Sequence, residues 1–178
     1  KYKNVKHITY DSFSESSALN AYESRYGVRG LSNYDFSKSK VIVSIGADFL
    51  GDWQGGGFDC SYAKGRIPDK GTMSRHIQFE SNMTLSGANA DVRVPLKLNE
   101  QKLVLIEIYK SIVGNKIQLK SDISLNEKTK KIVDALIREI KSAADGSVII
   151  SGIKDEDYQS LVLDCLLYTS DAADDWQG

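Results

Sequence analysis

The sequence has little cysteine and no long apolar run, and neither sign of charge dominates. Two cysteines in 178 residues, Cys60 and Cys165, are too few for a disulfide framework, a zinc site or an iron–sulfur cluster. The longest apolar runs, such as residues 103–106, are far shorter than the ~20 residues that span a bilayer. A net charge of −1 gives no reason to expect nucleic acid or an anionic membrane surface as a partner.

The residues that are present are typical of a globular domain. Apolar residues make up 41% of the chain and charged residues 26%, and the length fits about one domain. The sequence shows no internal repeat and no compositional boundary, so we assign residues 1–164 to one α/β domain. Because the chain begins at Lys1 rather than Met, we expect this domain to be truncated at its start as well as at its end.

The last fourteen residues, Cys165 to Gly178, differ in character from the rest. Residues 165–175 read CLLYTSDAADD, which resembles the translation of a transposon-type sequencing adapter. The helical pattern of residues 158–163 is also lost after Thr169. We therefore expect residues 165–178 to be a non-native and poorly packed tail. The alternative is an amphipathic helix that ends in an acidic tail.

Strand-like segments recur along the chain. Strands are predicted at residues 5–10, 40–46, 76–80, 92–98 and 148–152. The continuous apolar character of the second and the last of these segments is typical of strands buried on both faces of a parallel sheet. Pro95 places its segment at a sheet edge or at a strand end, because proline cannot donate a hydrogen bond to a neighbouring strand.

Helix-like segments alternate with these strands. Helices are predicted at residues 14–26, near 59–64, at 100–113, at 132–144 and after 155. The residues whose identity or spacing predicts a helix start are Ser12 with Glu15, Asn99, Ser124 with Glu127, and Asp155. Gly27 and Gly114 predict helix ends. The alternation predicts an α/β fold of the Rossmann-like type, with a mostly parallel sheet and flanking helices.

Ligands of open parallel sheets bind at the carboxyl ends of the strands, near the point where strand order reverses. The residues predicted to lie at this edge are Asp11, Gly46, Ala47, Asp48, Glu80, Ser81 and Gly152. The glycine-rich stretch 46–57 can cradle a phosphate or be a structural loop, and it does not fit the motif G-x-G-x-x-G. Asp48 and Glu80 can meet as paired carboxylates, or they can cap helices and contact solvent.

The other reactive side chains form no recognisable motif. His7 and His76 lie on separate predicted strands without a nearby metal ligand, so we expect hydrogen-bonded strand histidines rather than a metal site. Cys60 has no basic neighbour closer than Lys64, which gives no support for a reactive thiolate. No grouping of Ser, His and an acid indicates nucleophilic catalysis. Residue chemistry alone therefore predicts no catalytic and no metal-binding residue.

Several motifs follow one another as they do in molybdopterin oxidoreductases. The segments are GADFLG at 46–51, MSRH at 73–76 and TLSGANADVRVP at 84–95. This order resembles a strand with a glycine turn, followed by a T-x-x-A-x-x-A-D-x-x-L-P type segment. The pattern positions are occupied by Thr84, Gly87, Ala90, Asp91 and Pro95. This version is similar to the large iron–sulfur subunit of alternative complex III, a subfamily with a variant Tat signal, over about residues 5–164.

The resemblance implies a subunit of a quinol-oxidising respiratory complex. Such a subunit lies on the periplasmic side of the bacterial cytoplasmic membrane, with a multihaem cytochrome and polytopic membrane subunits as partners. Cysteines elsewhere in it hold iron–sulfur clusters, whereas the half that this chain resembles has lost the molybdenum cofactor. The resemblance therefore implies no cofactor within this chain.

The sequence departs from cofactor-binding members of the family after Pro95. Those members continue with a P-G-T-D-like turn, whereas residues 97–101 here read KLNEQ and lack its glycine. Trp53 and Phe58 also crowd the glycine-rich stretch. The leading hypothesis is a scaffold domain; the alternatives are a molybdopterin-guanine-dinucleotide-binding domain of an active oxidoreductase and a generic nucleotide-binding module. If a pterin nucleotide binds, the resemblance implies contacts with Gly46, Ala47, Asp48, Phe49, Glu80, Ser81, Thr84, Gly87 and Asp91.

Overall fold

The computed structural model describes residues 3–8, 10, 13–68, 71–114, 117, 124–143 and 145–169. These residues form four strands, which are β1 (Val41–Ile45), β2 (Arg75–Glu80), β3 (Val92–Pro95) and β4 (Ser147–Ser151). They also form six α-helices, which are α1 (Ser16–Tyr26), α2 (Asp59–Gly65), α3 (Leu85–Ala88), α4 (Leu98–Ile112), α5 (Glu127–Ala143) and α6 (Glu156–Thr169). Two short 3-10 turns, Phe36–Lys38 and Trp53–Gly55, precede and follow β1.

The four strands form one parallel sheet in the order β3-β2-β1-β4. Val43 in β1 pairs with Ile77 in β2 on one side and with Ile149 in β4 on the other. The chain adds β2 and β3 on one side of β1 and then crosses to add β4 on the other side. This arrangement confirms the predicted α/β class, and it places the reversal of strand order between β1 and β4.

One face of the sheet packs against α4, α5 and α6. Val41, Val43 and Ile45 of β1 point to this face, because alternate residues of a strand share one side. Leu136 and Ile140 of α5, one helical turn apart, are buried in the same apolar cluster. Full burial of side chains of this kind contributes roughly 1.5–3 kcal/mol each, so this face supplies most of the apolar stabilisation.

The opposite face packs against a cluster of aromatic rings. Its buried members are Phe36, Ala47, Phe49, Trp53, Phe58 and Tyr62, together with Ile42 of β1 and Ile150 of β4. The ring centroids of Phe36 and Phe49 are 4.7 Å apart. These rings come from α2, from the two 3-10 turns and from the loop after β1, so that short elements rather than long helices cover this face.

The predicted strands are confirmed except at the start of the chain. The segment 92–98 ends as a strand at Pro95, on the edge of the sheet, and Leu98 already begins α4. The strand predicted at 5–10 is wrong for the described part of that segment, which has no strand. Val5, Ile8 and Tyr10 are 71%, 73% and 88% exposed. A β-branched run becomes a strand only where a neighbouring strand offers its hydrogen bonds, and local sequence does not reveal that neighbour.

The helix starts lie close to the predicted positions but use other caps. The N-cap of α4 is Lys97 rather than Asn99, and the Lys97 N–H donates to Glu100 Oε2 at 2.8 Å. The side chain that accepts a backbone N–H at the start of α5 is Asn126 rather than Ser124, at 2.9 Å. Several polar residues near a helix start compete for the same orphan amides, so composition alone does not select among them.

Other helix boundaries agree better with the sequence. Gly27, with φ +73°, ends α1, and its N–H donates to the Glu23 carbonyl at 2.8 Å. Asp155 precedes α6 and accepts backbone hydrogen bonds from the first turn of that helix. The predicted partner of Glu15, Ser12, lies outside the described residues. No helix was predicted between residues 82 and 91, yet α3 lies there.

The helix α6 extends beyond the point where the predicted tail begins. Cys165 and Thr169 are 0% and 2% exposed, so the expectation of poor packing is wrong for residues 165–169. Val162, Cys165 and Leu166 pack against the main apolar cluster, because three- and four-residue spacing places them on one helix face. The non-native origin proposed for residues 165–178 stays a prediction, and residues 170–178 lie outside the described part of the chain.

Candidate functional site

The structure brings the predicted site residues that follow β1, β2 and β4 to one edge of the sheet, whereas Asp91 precedes β3 and lies at the opposite, amino-terminal end, which contradicts its predicted position. Gly46 and Asp48 follow β1, Glu80 is the last residue of β2, and Gly152 follows β4. Because the strands are parallel, their carboxyl ends meet at the same edge. Asp11, which was predicted to lie there as well, falls outside the described residues.

The carboxylate of Asp48 holds the loop after β1 against α3. Its Oδ1 accepts the backbone N–H of Ser86 and the Ser86 hydroxyl, both at 2.8 Å. The same hydroxyl oxygen accepts the Leu50 N–H at 2.9 Å. A Cβ on Gly51 would overlap Asp48 Oδ2, so the loop wraps tightly around this side chain. The Asp48 carboxylate therefore binds the first turn of α3 from within the chain.

Glu80 binds the same segment from the other strand. Its side chain is 2% exposed and forms an ion pair with Arg93 of β3. Thr84 donates its hydroxyl to Glu80 Oε2 at 2.6 Å and its N–H to Oε1 at 3.3 Å. A Cβ on Gly87 would overlap the Glu80 carboxylate. The two carboxylates therefore bind different residues of the segment 84–87, and the geometry favours helix capping over a catalytic carboxylate pair.

Gln101, in the first turn of α4, contacts the ends of three strands at this edge. Its side chain is 3% exposed, and Nε2 donates to Ser81 Oγ at 2.9 Å and to the Leu96 carbonyl at 3.0 Å. A Cβ added to Gly46 would lie 2.6 Å from Gln101 Oε1. One carboxamide thus connects the ends of β1, β2 and β3. Gln101 was noted in the sequence only as part of the altered turn, and nothing in the local pattern indicated this contact.

The loops after β4 and β1 meet at the point where strand order reverses. A Cβ on Gly152 would overlap the carbonyl oxygen of Gly46, so these loops lie in direct contact. The Gly152 N–H donates to the Ile45 carbonyl at 2.9 Å, and the Gly46 N–H donates to the Phe79 carbonyl at 2.7 Å. These two amides are therefore bonded within the chain.

The glycine-rich stretch behaves as a structural loop. The N–H groups of Gly51, Gly55 and Gly56 donate to carbonyls within the same stretch, at 3.0 Å in each case. Trp53 and Phe58 are only 7% and 8% exposed and pack against each other, with ring centroids 5.6 Å apart. The loop is thus filled by its own aromatic residues. The indole Nε1 of Trp53 is buried without a hydrogen-bond partner.

A row of polar side chains lies under this loop on β2. His76, Gln78 and Glu80 are buried on the aromatic face of the sheet, and neighbouring members are hydrogen-bonded. The Tyr62 hydroxyl of α2 lies 3.2 Å from His76 Nδ1. Burial away from water lowers the pKa of His76 to about 4. The expectation of a hydrogen-bonded strand histidine is confirmed for His76.

Asp91 fixes the end of the motif segment. It accepts two hydrogen bonds from Arg66, at 2.6 and 2.9 Å, and one from the His76 backbone N–H at 2.7 Å. The hydrogen bonds from Arg66 hold the pKa of Asp91 below its ordinary value. With Thr84 accepting the Gly87 N–H at 3.1 Å, the motif residues tie the segment 84–91 to the sheet.

The remaining candidate residues do not join this site. His7 is exposed and does not lie on a strand, which contradicts its predicted position. Cys60 is exposed, and its thiol lies 3.9 Å from Asp59 Oδ2. Within the described parts of the chain, no group of three or more His, Cys, Asp or Glu residues is placed to hold a metal ion. Over the same parts, no helix has the length and apolar character needed to cross a membrane.

The fold and the edge together define an open parallel α/β domain whose carboxyl edge is filled by its own side chains. No protein-family model matches the chain, and no curated protein is significantly similar to it.

Proposed function

We propose that this chain is a cofactor-free scaffold domain of the large iron–sulfur subunit of alternative complex III. The observation that carries the proposal is the position of Gln101, whose carboxamide lies against Gly46 at the end of β1, on the side where a Cβ would stand. Gln101 belongs to the segment that replaces the cofactor-binding turn of the resembled family. The replacement therefore places a side chain against the end of β1 as well as removing a glycine.

The energetics of the edge favour this interpretation over nucleotide binding. A phosphate needs free backbone N–H groups, and here the chain's own carboxylates already bind the amides of Thr84 and Ser86. A phosphate bound at the amide of Thr84 would displace Glu80, which is buried, and remove hydrogen bonds from its carboxylate. A buried charge left without partners costs several kcal/mol.

In this proposal the domain holds the cluster-bearing part of the subunit and its neighbours in register. The partners are a multihaem cytochrome and polytopic membrane subunits, and the location is the periplasmic side of the bacterial cytoplasmic membrane. Iron–sulfur clusters belong to other parts of the subunit. Quinol oxidation is the activity of the complex, and this domain contributes position rather than chemistry.

Elemental and pterin analysis of the full-length subunit tests the proposal. Iron should be present, while molybdenum and the fluorescent oxidation products of a pterin should be absent. Molybdenum together with a pterin would overturn the scaffold hypothesis in favour of a molybdopterin-guanine-dinucleotide-binding domain. A multihaem cytochrome that co-purifies with the subunit would support the proposed complex, and its absence from the intact assembly would count against it.

Calorimetric titration of the chain with GDP tests the generic nucleotide-binding alternative. The wild-type chain should give no binding heat at millimolar GDP. Binding by the wild type would favour a nucleotide-binding module and would show that the edge opens. The matched variant is Gln101→Gly, which removes the carboxamide from Gly46. Binding of GDP by this variant but not by the wild type would identify Gln101 as the group that excludes the nucleotide.

A further inference from the structure

The polar row on β2 departs from the usual composition of a parallel strand. Strands covered on both faces ordinarily carry apolar residues throughout, yet His76, Gln78 and Glu80 are 0%, 0% and 2% exposed. Most buried polar groups in folded proteins have a hydrogen-bond partner. The hydrogen atoms along this row can be assigned one by one, starting from Gln78.

The amide of Gln78 determines the tautomer of His76. Gln78 Nε2 has two acceptors, the Ala47 carbonyl at 3.1 Å and Glu80 Oε2 at 3.3 Å. Gln78 Oε1 is therefore the atom that faces His76 Nε2, at 3.1 Å, and it can only accept. It follows that the neutral His76 ring carries its hydrogen on Nε2 and leaves Nδ1 as an acceptor.

The hydroxyl of Tyr62 then has one hydrogen for two acceptors. Its oxygen lies 3.2 Å from His76 Nδ1 and 3.0 Å from the Asn89 carbonyl. With a neutral ring, the two acceptors share this one hydrogen. One additional proton on Nδ1 would give each contact its own hydrogen, because Nδ1–H would donate to the hydroxyl oxygen and the hydroxyl would donate to Asn89.

We propose that His76 Nδ1, the Tyr62 hydroxyl and the Asn89 carbonyl form a proton-binding site that links α2 to the sheet. The proton comes from solvent and adds one positive charge to the row. The Tyr62 hydroxyl then turns from a shared donor into a full donor to Asn89. The contact between α2, the end of α3 and β2 therefore changes with acidification, which makes the link a pH-sensitive device.

The groups around the His76 ring have opposite effects on its protonation. Burial opposes a protonated ring most strongly and Arg66 opposes it as well, whereas Asp91 and Glu80 favour it. Asp91 is paired with Arg66, and Glu80 is paired with Arg93, so the surroundings carry no excess negative charge. The hydrogen-bond geometry thus favours uptake of a proton while burial resists it, which delays uptake to acid pH.

Ring ¹⁵N NMR of the chain tests the assignment directly. The chain has two histidines, and the variant His7→Gln leaves the signals of His76 alone. At pH 7 the ring should show the Nε2–H tautomer, with Nδ1 as an unprotonated nitrogen. An Nδ1–H tautomer, or a rapidly exchanging mixture of both, would overturn the proposal. This measurement decides the matter even if a Tyr62 variant does not fold.

The variant Tyr62→Phe tests the role of the hydroxyl. It removes the acceptor for a protonated Nδ1, so the titration midpoint of His76 should fall by about one pH unit, the equivalent of one ordinary hydrogen bond. The control is Tyr109→Phe, which removes a hydroxyl on the opposite face of the sheet and should leave the midpoint unchanged. A midpoint that stays or rises in Tyr62→Phe would overturn the proposal.

Discussion

The side-chain carbonyl of Gln101 lies directly against Gly46, so that a Cβ on Gly46 would come within 2.6 Å of Oε1. Gly46 also has φ +71°, a conformation that other residues rarely adopt. This contact joins the first turn of α4 to the end of the central strand. Gly46 is therefore constrained twice, by its backbone and by its neighbour.

The variant Gly46→Ala should be less stable than the wild type by about 2–4 kcal/mol, because backbone strain and a steric clash act together. Urea denaturation followed by circular dichroism measures the change in the free energy of unfolding. The matched control is Gly55→Ala, where φ is +89° but no atom lies within 4 Å of the added Cβ. That variant should lose only the strain component, about 1 kcal/mol.

The double variant Gly46→Ala with Gln101→Ala separates the clash from the strain. Once the carboxamide is removed, the additional cost of the Gly46→Ala substitution should resemble that of the Gly55 control. Equal losses in the two single glycine variants would contradict the contact between Gln101 and Gly46.

The ion pair of buried Glu80 should matter more than an exposed one. Glu80→Gln leaves Arg93, whose side chain is 27% exposed, with a neutral partner, and loss of a hydrogen bond between charged groups costs about 1.5–3 kcal/mol. Glu139→Gln breaks the pair with Arg75, in which the two side chains are 33% and 51% exposed, and should cost less than about 1 kcal/mol. Both values come from denaturant unfolding at pH 7. Similar losses in the two variants would contradict the packing of the edge around Glu80.

The stability of the chain should fall as the pH is lowered below neutrality. The pKa of His76 is lowered from 6.5 to about 4 in the fold, so the unfolded chain binds a proton first. The stability from the neutral ring is complete above pH 6.5 and is lost between pH 6.5 and 4, amounting to roughly 3 kcal/mol. Asp91 adds a second loss at lower pH, because its lowered pKa stabilises the fold only while it is ionised.

Unfolding free energies measured from about pH 7.5 to pH 4 check this prediction. The variant His76→Gln should show a flatter dependence by up to one proton, even if it is less stable at neutral pH. The matched variant is His7→Gln, which removes an exposed histidine instead of the buried one. An unchanged slope in His76→Gln would show that His76 titrates alike in the folded and unfolded chain.

The two cysteines should react at very different rates. Cys60 is exposed, whereas Cys165 is buried in α6, and burial raises the pKa of the Cys165 thiol to about 12. A thiol reagent such as DTNB should therefore modify one cysteine quickly in the folded chain and the second only in denaturant. Cys60→Ser should abolish the fast phase. Two fast thiols would contradict the packing of residues 165–169 and would favour the poorly packed tail expected from the sequence.

Much of the fold could be predicted from local sequence. The apolar run of β1, the helical stripe that includes Leu136 and Ile140, and the strand end at Pro95 are properties of a segment and its immediate neighbours. These features depend on hydrophobic periodicity and on the backbone chemistry of proline, which act over a few residues. Exact helix caps were harder, as Lys97 and Asn126 show, because neighbouring polar residues compete for the same amides.

The position of the candidate site could be predicted, but not whether its side chains bind a ligand or the chain itself. Its residues follow from parallel strands, whose carboxyl ends share one edge. Whether Asp48 and Glu80 face a ligand or the chain itself depends on α3, a helix that the local pattern did not predict. For residues 165–169 the sequence offered an amphipathic helix only as the alternative to a poorly packed tail, and the structure has that helix.

The sequence by itself determined the α/β class, the strands β1, β2 and β4, and the edge at which chemistry could occur, because burial patterns act locally. Only the tertiary structure decided that Gln101 lies against Gly46 and that the Tyr62 hydroxyl contacts His76 Nδ1. Those contacts join different elements of the fold, and their geometry is set by how helices pack on the sheet. Close packing is a property of the whole fold, and no single segment carries it.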